Sequence, residues 1–277
     1  MLAARAARRF KRPYVVCPAG ALPVYGRSGL IKHLYNAAGG RSLVESADAW
    51  IAITPRERAD FRAYGVEPGK VTVIPNGVDA EDYAAADTRE WRARHGLGDS
   101  PLILFVGRLN TIKGPDLLIE AFVSIASKIP RHMLVMAGPD EGELERLRSL
   151  AAPLKERVRF IGFVSGQDKA AAYRAADLVV VPSRQEAMSL VALEAGVCGT
   201  PVLMTDVCGF DEAAYAGGSI VPASVAGLAA GMREMLGNSE LTRRGEQLRE
   251  LVLREFTWDA AAARYAKLFA SVLRETG

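Results

Sequence analysis

Cysteine is scarce in this chain, with three among 277 residues, Cys17, Cys198 and Cys208, and no C-x-x-C pair. Neither a disulfide framework nor a zinc ribbon can be assembled from them, and a reducing compartment is expected. Histidine is equally rare. His33, His95 and His132 are scattered without ligand spacing, and no D-x-D sequence occurs. No dedicated metal site is therefore expected, and each histidine reads as a surface or packing residue. Long apolar runs are missing too: stretches such as Leu178 to Val181 stop at a proline or a charge, far short of the roughly 20 residues that cross a bilayer. Acid is absent from the opening MLAARAARRFKR, which carries five bases. That segment could be a transit peptide, a nucleic-acid arm or a membrane-surface helix; the plainest reading is a short helix leading into a strand. Lys+Arg 35 against Asp+Glu 32 gives only +3 overall, so no nucleic-acid partner is expected.

What is present belongs to an ordinary globular protein, since 49% hydrophobic and 24% charged residues exclude disorder and a fibrous repeat. Short β-branched runs alternate with alanine- and leucine-rich stretches of helical period, the pattern of strands and helices around a parallel sheet. Strands are expected at 14–17, 50–53, 71–74, 102–106, 133–136, 158–161, 178–181, 202–204 and 219–221. Thr54 with Pro55 and Glu57 marks a helix start running to Tyr64, and Thr257 marks a closing helix to Leu273. Turn formers from Pro75 to Pro101 place a domain boundary near residues 76–100. The expected organisation is an N-terminal domain over 1–95, a second domain over 96–256 and a terminal helix over 257–277. Three strands before the boundary are few for a doubly wound sheet covered on both faces, so either the first domain is unusually small or its beginning is absent from this chain.

The strand 102–106 runs into a loop holding Gly107, Arg108, Lys113 and Gly114, followed by an amphipathic helix from Asp116 to about Ser127. In open α/β sheets ligands sit beyond the carboxyl ends of strands, here with two cations just ahead of a helix N-terminus. Gly107 lets a ligand approach the backbone, while Arg108 and Lys113 can neutralise phosphate oxygens. A solvated loop with two surface charges is the plainer alternative.

A second constellation follows the buried strand ending at Pro182. Ser183 and its neighbours form a polar turn, and a helix is expected to start near Met188. Glu186 then lies in the loop and Glu194 about two turns inside the helix. Eight residues of helical rise would be about 12 Å, an upper limit comparable with the reach from a ribose to a sugar across a diphosphate. Each carboxylate can accept from sugar hydroxyls, and amides at the helix start can bind phosphate. Glu186 could equally be a solvent-exposed loop acid and Glu194 a helix-surface acid. Glu194 is harder to dismiss, because Leu190, Val191, Leu193 and Val197 surround it with apolar groups and a carboxylate there wants a partner. The polar turn Thr205 to Glu212 is expected on the same rim.

The segments VGRLNTIKGPDLLIEAF, VRFIGF, AADLVVVPSRQEAMSLVALEAGVCGTPVL and IPNGVD resemble the retaining glycosyltransferases of family 4, and the likeness covers the chain from about Arg12 onward. The resemblance implies an α/β chain of GT-B type, in which a complete C-terminal Rossmann-like domain with a parallel sheet follows a partial N-terminal one. It implies a nucleotide-diphosphate sugar as donor substrate, no cofactor and no metal. Arg108 and Lys113 would hold the diphosphate, Glu194 the ribose, and Glu186 with the amides of Ala187, Met188, Ser189 and Leu190 the donor sugar beside Gly107. Arg108, Lys113 and Glu186 would be the catalytic set, with Arg108 and Lys113 stabilising the negative charge that grows on the leaving phosphate. Many relatives have histidine where this chain has Ala19, which bears on acceptor activation. The closing helix resembles one that crosses back onto the N-terminal domain.

A G-x-G-x-x-G fingerprint after a strand and a G-x-S-x-G elbow are both absent, which disfavours a nicotinamide enzyme and a hydrolase. Three functions stay open: a hexosyl transferase of glycan biosynthesis, a truncated nucleotide-sugar-binding protein without catalysis, and a sugar-nucleotide epimerase, for which no acid and base pair is identified. The acceptor is undefined among carbohydrate, lipid-linked and small-molecule classes. A cytoplasmic location is expected, and the basic start gives at most weak contact with the inner membrane face.

Overall fold

The computed structural model describes residues 2–23 and 39–276; His33 lies outside them. The described elements, in chain order, are α1 (Leu2–Arg9), β1 (Val15–Val16), α2 (Arg41–Glu45), β2 (Ala49–Ala52), β3 (Val71–Val73), α3 (Thr88–Arg94), β4 (Leu102–Val106), α4 (Pro115–Ile125), β5 (Met133–Ala137), α5 (Leu144–Ala151), β6 (Val158–Gly162), α6 (Gly166–Ala175), β7 (Leu178–Val181), α7 (Leu190–Val197), β8 (Val202–Thr205), β9 (Ser219–Val221), α8 (Val225–Leu236), α9 (Leu241–Glu255) and α10 (Trp258–Thr276). Each expected strand is present, with ends that differ by no more than two residues. The basic opening segment forms α1 ahead of β1.

Two compact units result, one of residues 1–76 and 258–277, the other of residues 77–257. The division falls at Asn76, earlier than the expected 95/96. The reason lies in α3, which packs on α6: Trp91 is fully buried, Arg92 Nη1 donates to the Ala175 carbonyl at 2.9 Å, and Arg94 pairs with Asp168. The turn-rich stretch around α3 is thus the entrance to the second unit.

In the first unit β1, β2 and β3 form a parallel sheet. Successive residues of β2 face opposite sides: Ala52 joins Phe61, Tyr64 and Val71 in one cluster, whereas Ile51 meets Ala261 of α10 and Ile74 in another. The segment after Thr54 is a 3-10 helix, Arg56–Tyr64, instead of the α-helix expected. The Thr54 hydroxyl still receives the Glu57 amide at 3.3 Å, and Glu57 turns its carboxylate inward to the amides of Ile53 and Gly20. These bonds, one local and one to the distant Gly20, favour a tight turn over a regular helix.

The second unit holds a six-stranded parallel sheet in the order β6-β5-β4-β7-β8-β9. Helices α4, α5 and α8 pack together as one layer, and α3, α6, α7 and α9 as another. Ile103, Phe105, Leu134, Met136, Leu178 and Val180 face the α4 layer, where Phe122 and Met232 are fully buried. Their neighbours Leu104, Val135 and Val179 are also fully buried, which is why these strands read as unbroken apolar runs.

Candidate functional site

Numbered within the second unit, its strand order is 3-2-1-4-5-6, so the winding reverses between β4 and β7. Open α/β sheets bind ligands beyond the carboxyl ends of their strands at such a reversal. The loops leaving these two strands carry most of the residues singled out from the sequence, and they are fastened together. The Arg184 amide donates to the Ile112 carbonyl at 2.8 Å. The Arg184 guanidinium grips both oxygens of Asp116 at 2.7 and 2.8 Å and also reaches the Thr111 carbonyl. Gly114, at φ +67, has no room for a side chain: a Cβ would sit 2.1 Å from the Pro182 carbonyl oxygen. Only glycine lets the two backbones pass this closely. Gly209, in the loop after β8 at φ +64, does the same against the Ala187 carbonyl at 1.9 Å.

Besides Arg184–Asp116, three further ion pairs lie on these loops and the elements beside them. Lys113 Nζ donates to Glu186 Oε1 at 2.8 Å, and Ser183 Oγ donates to Glu186 Oε2 at 2.8 Å. With its side chain 11% exposed, Glu186 is held rigidly in place. Arg108 Nη1 donates to Glu141 Oε1 at 3.0 Å, and Asn110 Nδ2 to Glu141 Oε2 at 2.6 Å. The bond from Asn110 and then that from Arg108 hold the Glu141 carboxyl below its ordinary range. Glu194 forms the third cluster, with Lys169 Nζ on one oxygen and the Tyr173 hydroxyl on the other, both at 2.6 Å. Burial, followed by the negative charge of Glu194, pushes the Tyr173 phenol well above its ordinary value, so it stays a donor.

The sequence expectation is refined at two points. Helix α7 begins at Leu190 with Ser189 as its cap, whose hydroxyl receives the Ala192 amide. Glu194 is therefore the fifth helical residue, little more than one turn inside, and not two. The Ser189 amide is also taken, donating to the Cys208 carbonyl at 2.9 Å, so it is not free for a ligand as expected. Among the described residues the amides of Ala187, Met188 and Leu190 have no protein acceptor. Gly107 stands at the end of β4 with its amide on the Ala137 carbonyl. Thus Lys113 and Glu186 are brought into contact, Arg108 lies on the same loop with another carboxylate, and Glu194 is bound to α6.

Glu141, Lys169 and Tyr173 were missed. Lys169 and Tyr173 are spaced i, i+4 on one helix and so share a face, a signal the sequence does contain. Nothing in it links Glu141 to Arg108. Cys208 lies beneath the rim, where burial pushes its thiol up to about 11, so it is not a nucleophile at neutral pH. Among the described residues no group of three or more metal-binding side chains assembles, and no helix is long and apolar enough to cross a membrane.

Residues 87–249 match the family described as Glycosyl transferases group 1, and residues 1–77 match a Glycosyl transferase 4-like domain. D-inositol 3-phosphate glycosyltransferase 2 of Catenulispora acidiphila is 35% identical over 255 residues, 86% of this chain. The chain spans 59% of that relative's length. Sucrose-phosphate synthase from Thermosynechococcus elongatus superposes with a TM-score of 0.79 at 27% identity, covering 99% of this chain and 71% of that one. Anabaena HepE in complex with UDP-glucose gives 0.80 at 23% identity over 97% and 75%, a likeness of fold. These neighbours are of GT-B type, and so is the fold described above.

Proposed function

This chain belongs to the group 1 glycosyl transferases, and we propose that it takes part in transferring a hexosyl group from a nucleoside diphosphate donor to an acceptor hydroxyl with retained configuration. The observation that carries this reading is the Lys113–Glu186 contact at the winding reversal, which joins a phosphate-binding charge to a sugar-binding carboxylate. In that reading Arg108 and Lys113 take the diphosphate beside Gly107. Glu186 accepts from sugar hydroxyls, and the amides of Ala187, Met188 and Leu190 face the donor. Glu194, oriented by Lys169 and Tyr173, accepts from the ribose. As the anomeric carbon leaves the phosphate oxygen, negative charge grows on the diphosphate. Arg108 and Lys113 then stabilise it more than they stabilise the bound donor. The acceptor oxygen bonds to that carbon on the same face, and its proton passes to the leaving phosphate.

UDP-glucose bound to the fold neighbour HepE supports a uridine donor as the first to test. The name of the Catenulispora relative points to an inositol phosphate as the first acceptor. Lys113→Ala and Glu194→Ala should each weaken nucleoside diphosphate binding about tenfold or more, the cost of a charge-assisted contact. Isothermal titration in which both variants bind like the wild type would refute the site.

A further inference from the structure

Arg108 is the more exposed of the two loop cations, with 56% of its side chain in solvent against 23% for Lys113. The Glu141 carboxylate lies on it, one oxygen on the guanidinium and the other on the Asn110 amide. Both donors belong to the loop after β4, and a phosphate presents two oxygens to such a pair in the same way. The backbone sets the carboxylate there. Leu109 donates to the Pro139 carbonyl at 2.8 Å and Glu141 to the Leu109 carbonyl at 3.2 Å. Asp140 Oδ1 then gathers the amides of Gly142, Glu143 and Leu144, fixing the turn that carries Glu141. Only the side chain is free to leave.

Glu186 contrasts with it, being enclosed at 11% exposure between Lys113 and Ser183, whereas Glu141 is 39% exposed. A solvent-exposed ion pair is weak and readily exchanged. We propose that Glu141 is a built-in competitor of the donor, holding Arg108 and Asn110 in the empty protein and yielding them to a phosphate oxygen when the nucleotide binds. Its return would assist release of the nucleoside diphosphate after transfer. This rests on the anion site proposed above and adds to it a residue that lowers affinity.

The test is isothermal titration of UDP and GDP into the wild type, Glu141→Gln, Arg108→Ala and the double variant, with thermal unfolding as a folding control. Glu141→Gln should bind the diphosphate about two- to fivefold more tightly, the exchange value of an exposed pair. On the Arg108→Ala background the same change should bring no gain. Unchanged or weaker binding by Glu141→Gln would overturn the proposal and make Glu141 a positioning residue for Arg108. An equal gain without Arg108 would overturn it too, because the effect would then be one of general charge. If the wild type binds neither nucleotide, the anion site itself fails and the competitor falls with it.

Discussion

The two sheets use their polar edges in opposite ways. At the six-stranded sheet Arg108, Lys113 and Lys169 each hold a carboxylate by its side chain. At the three-stranded sheet the corresponding group is Glu57, buried, with its two oxygens on the backbone amides of Gly20 and Ile53. That bond ties down a loop in which Ala19 sits at φ +49, a conformation costly for a residue with a side chain. A carboxylate bonded to backbone serves the fold. One paired with a cationic side chain can, in the site proposed above, exchange its partner for a ligand.

Two substitutions probe this contrast. Gly114→Ala attacks the large unit's edge where its loops cross, and should cost about 3–5 kcal/mol through a left-handed backbone and the collision with the Pro182 carbonyl. Denaturant unfolding should show the loss, and diphosphate binding should fall with it because Lys113 is the adjacent residue. A variant of near wild-type stability would mean that the crossing is looser than the backbone contact implies. Glu57→Ala leaves two backbone donors without their acceptor, for about 2–4 kcal/mol. Diphosphate affinity of the folded protein should stay within about twofold if Glu57 is structural. A large loss of affinity with unchanged stability would erase the distinction between the edges.

The strands were legible because a parallel sheet buried on both faces needs unbroken apolar runs, and 102–106 and 178–181 appear at the expected limits. The place of the loop cations was legible as well, since Arg108 and Lys113 follow the apolar run of β4 directly. The unit boundary was legible only as a range, with the division at Asn76 falling at the start of the 76–100 stretch. Turn formers on both sides of α3 resemble a linker, and only the burial of Trp91 and the reach of Arg92 to Ala175 assign that helix to the second unit. The partners of the charges were hidden for a similar reason. Glu141 is 33 residues from Arg108, and side-chain pairing over such distances depends on strand order, which no local pattern encodes. Glu194 is the intermediate case: its apolar neighbours required a partner, but which residue supplied it came from the packing of α6.

The contrast is sharpened last by Asp116, a large-unit carboxylate whose side-chain partners serve the fold. It is buried, which alone would raise its pKa, but the hydrogen bonds and charge of Arg184 prevail and hold it below its ordinary 3.8. A carboxyl depressed by folding contributes stability above its unfolded-state value and loses it as the pH falls through the folded one. The large unit should therefore weaken from about pH 4 downward, and Asp116→Asn should be less stable at neutral pH yet flatter over that range. Denaturation midpoints from pH 7 to pH 3 would show it. If the two pH profiles ran parallel, the Asp116–Arg184 pair would contribute nothing to the crossing of the loops, which the bonds from Arg184 to the Ile112 and Thr111 carbonyls and the close backbone packing at Gly114 would then hold together.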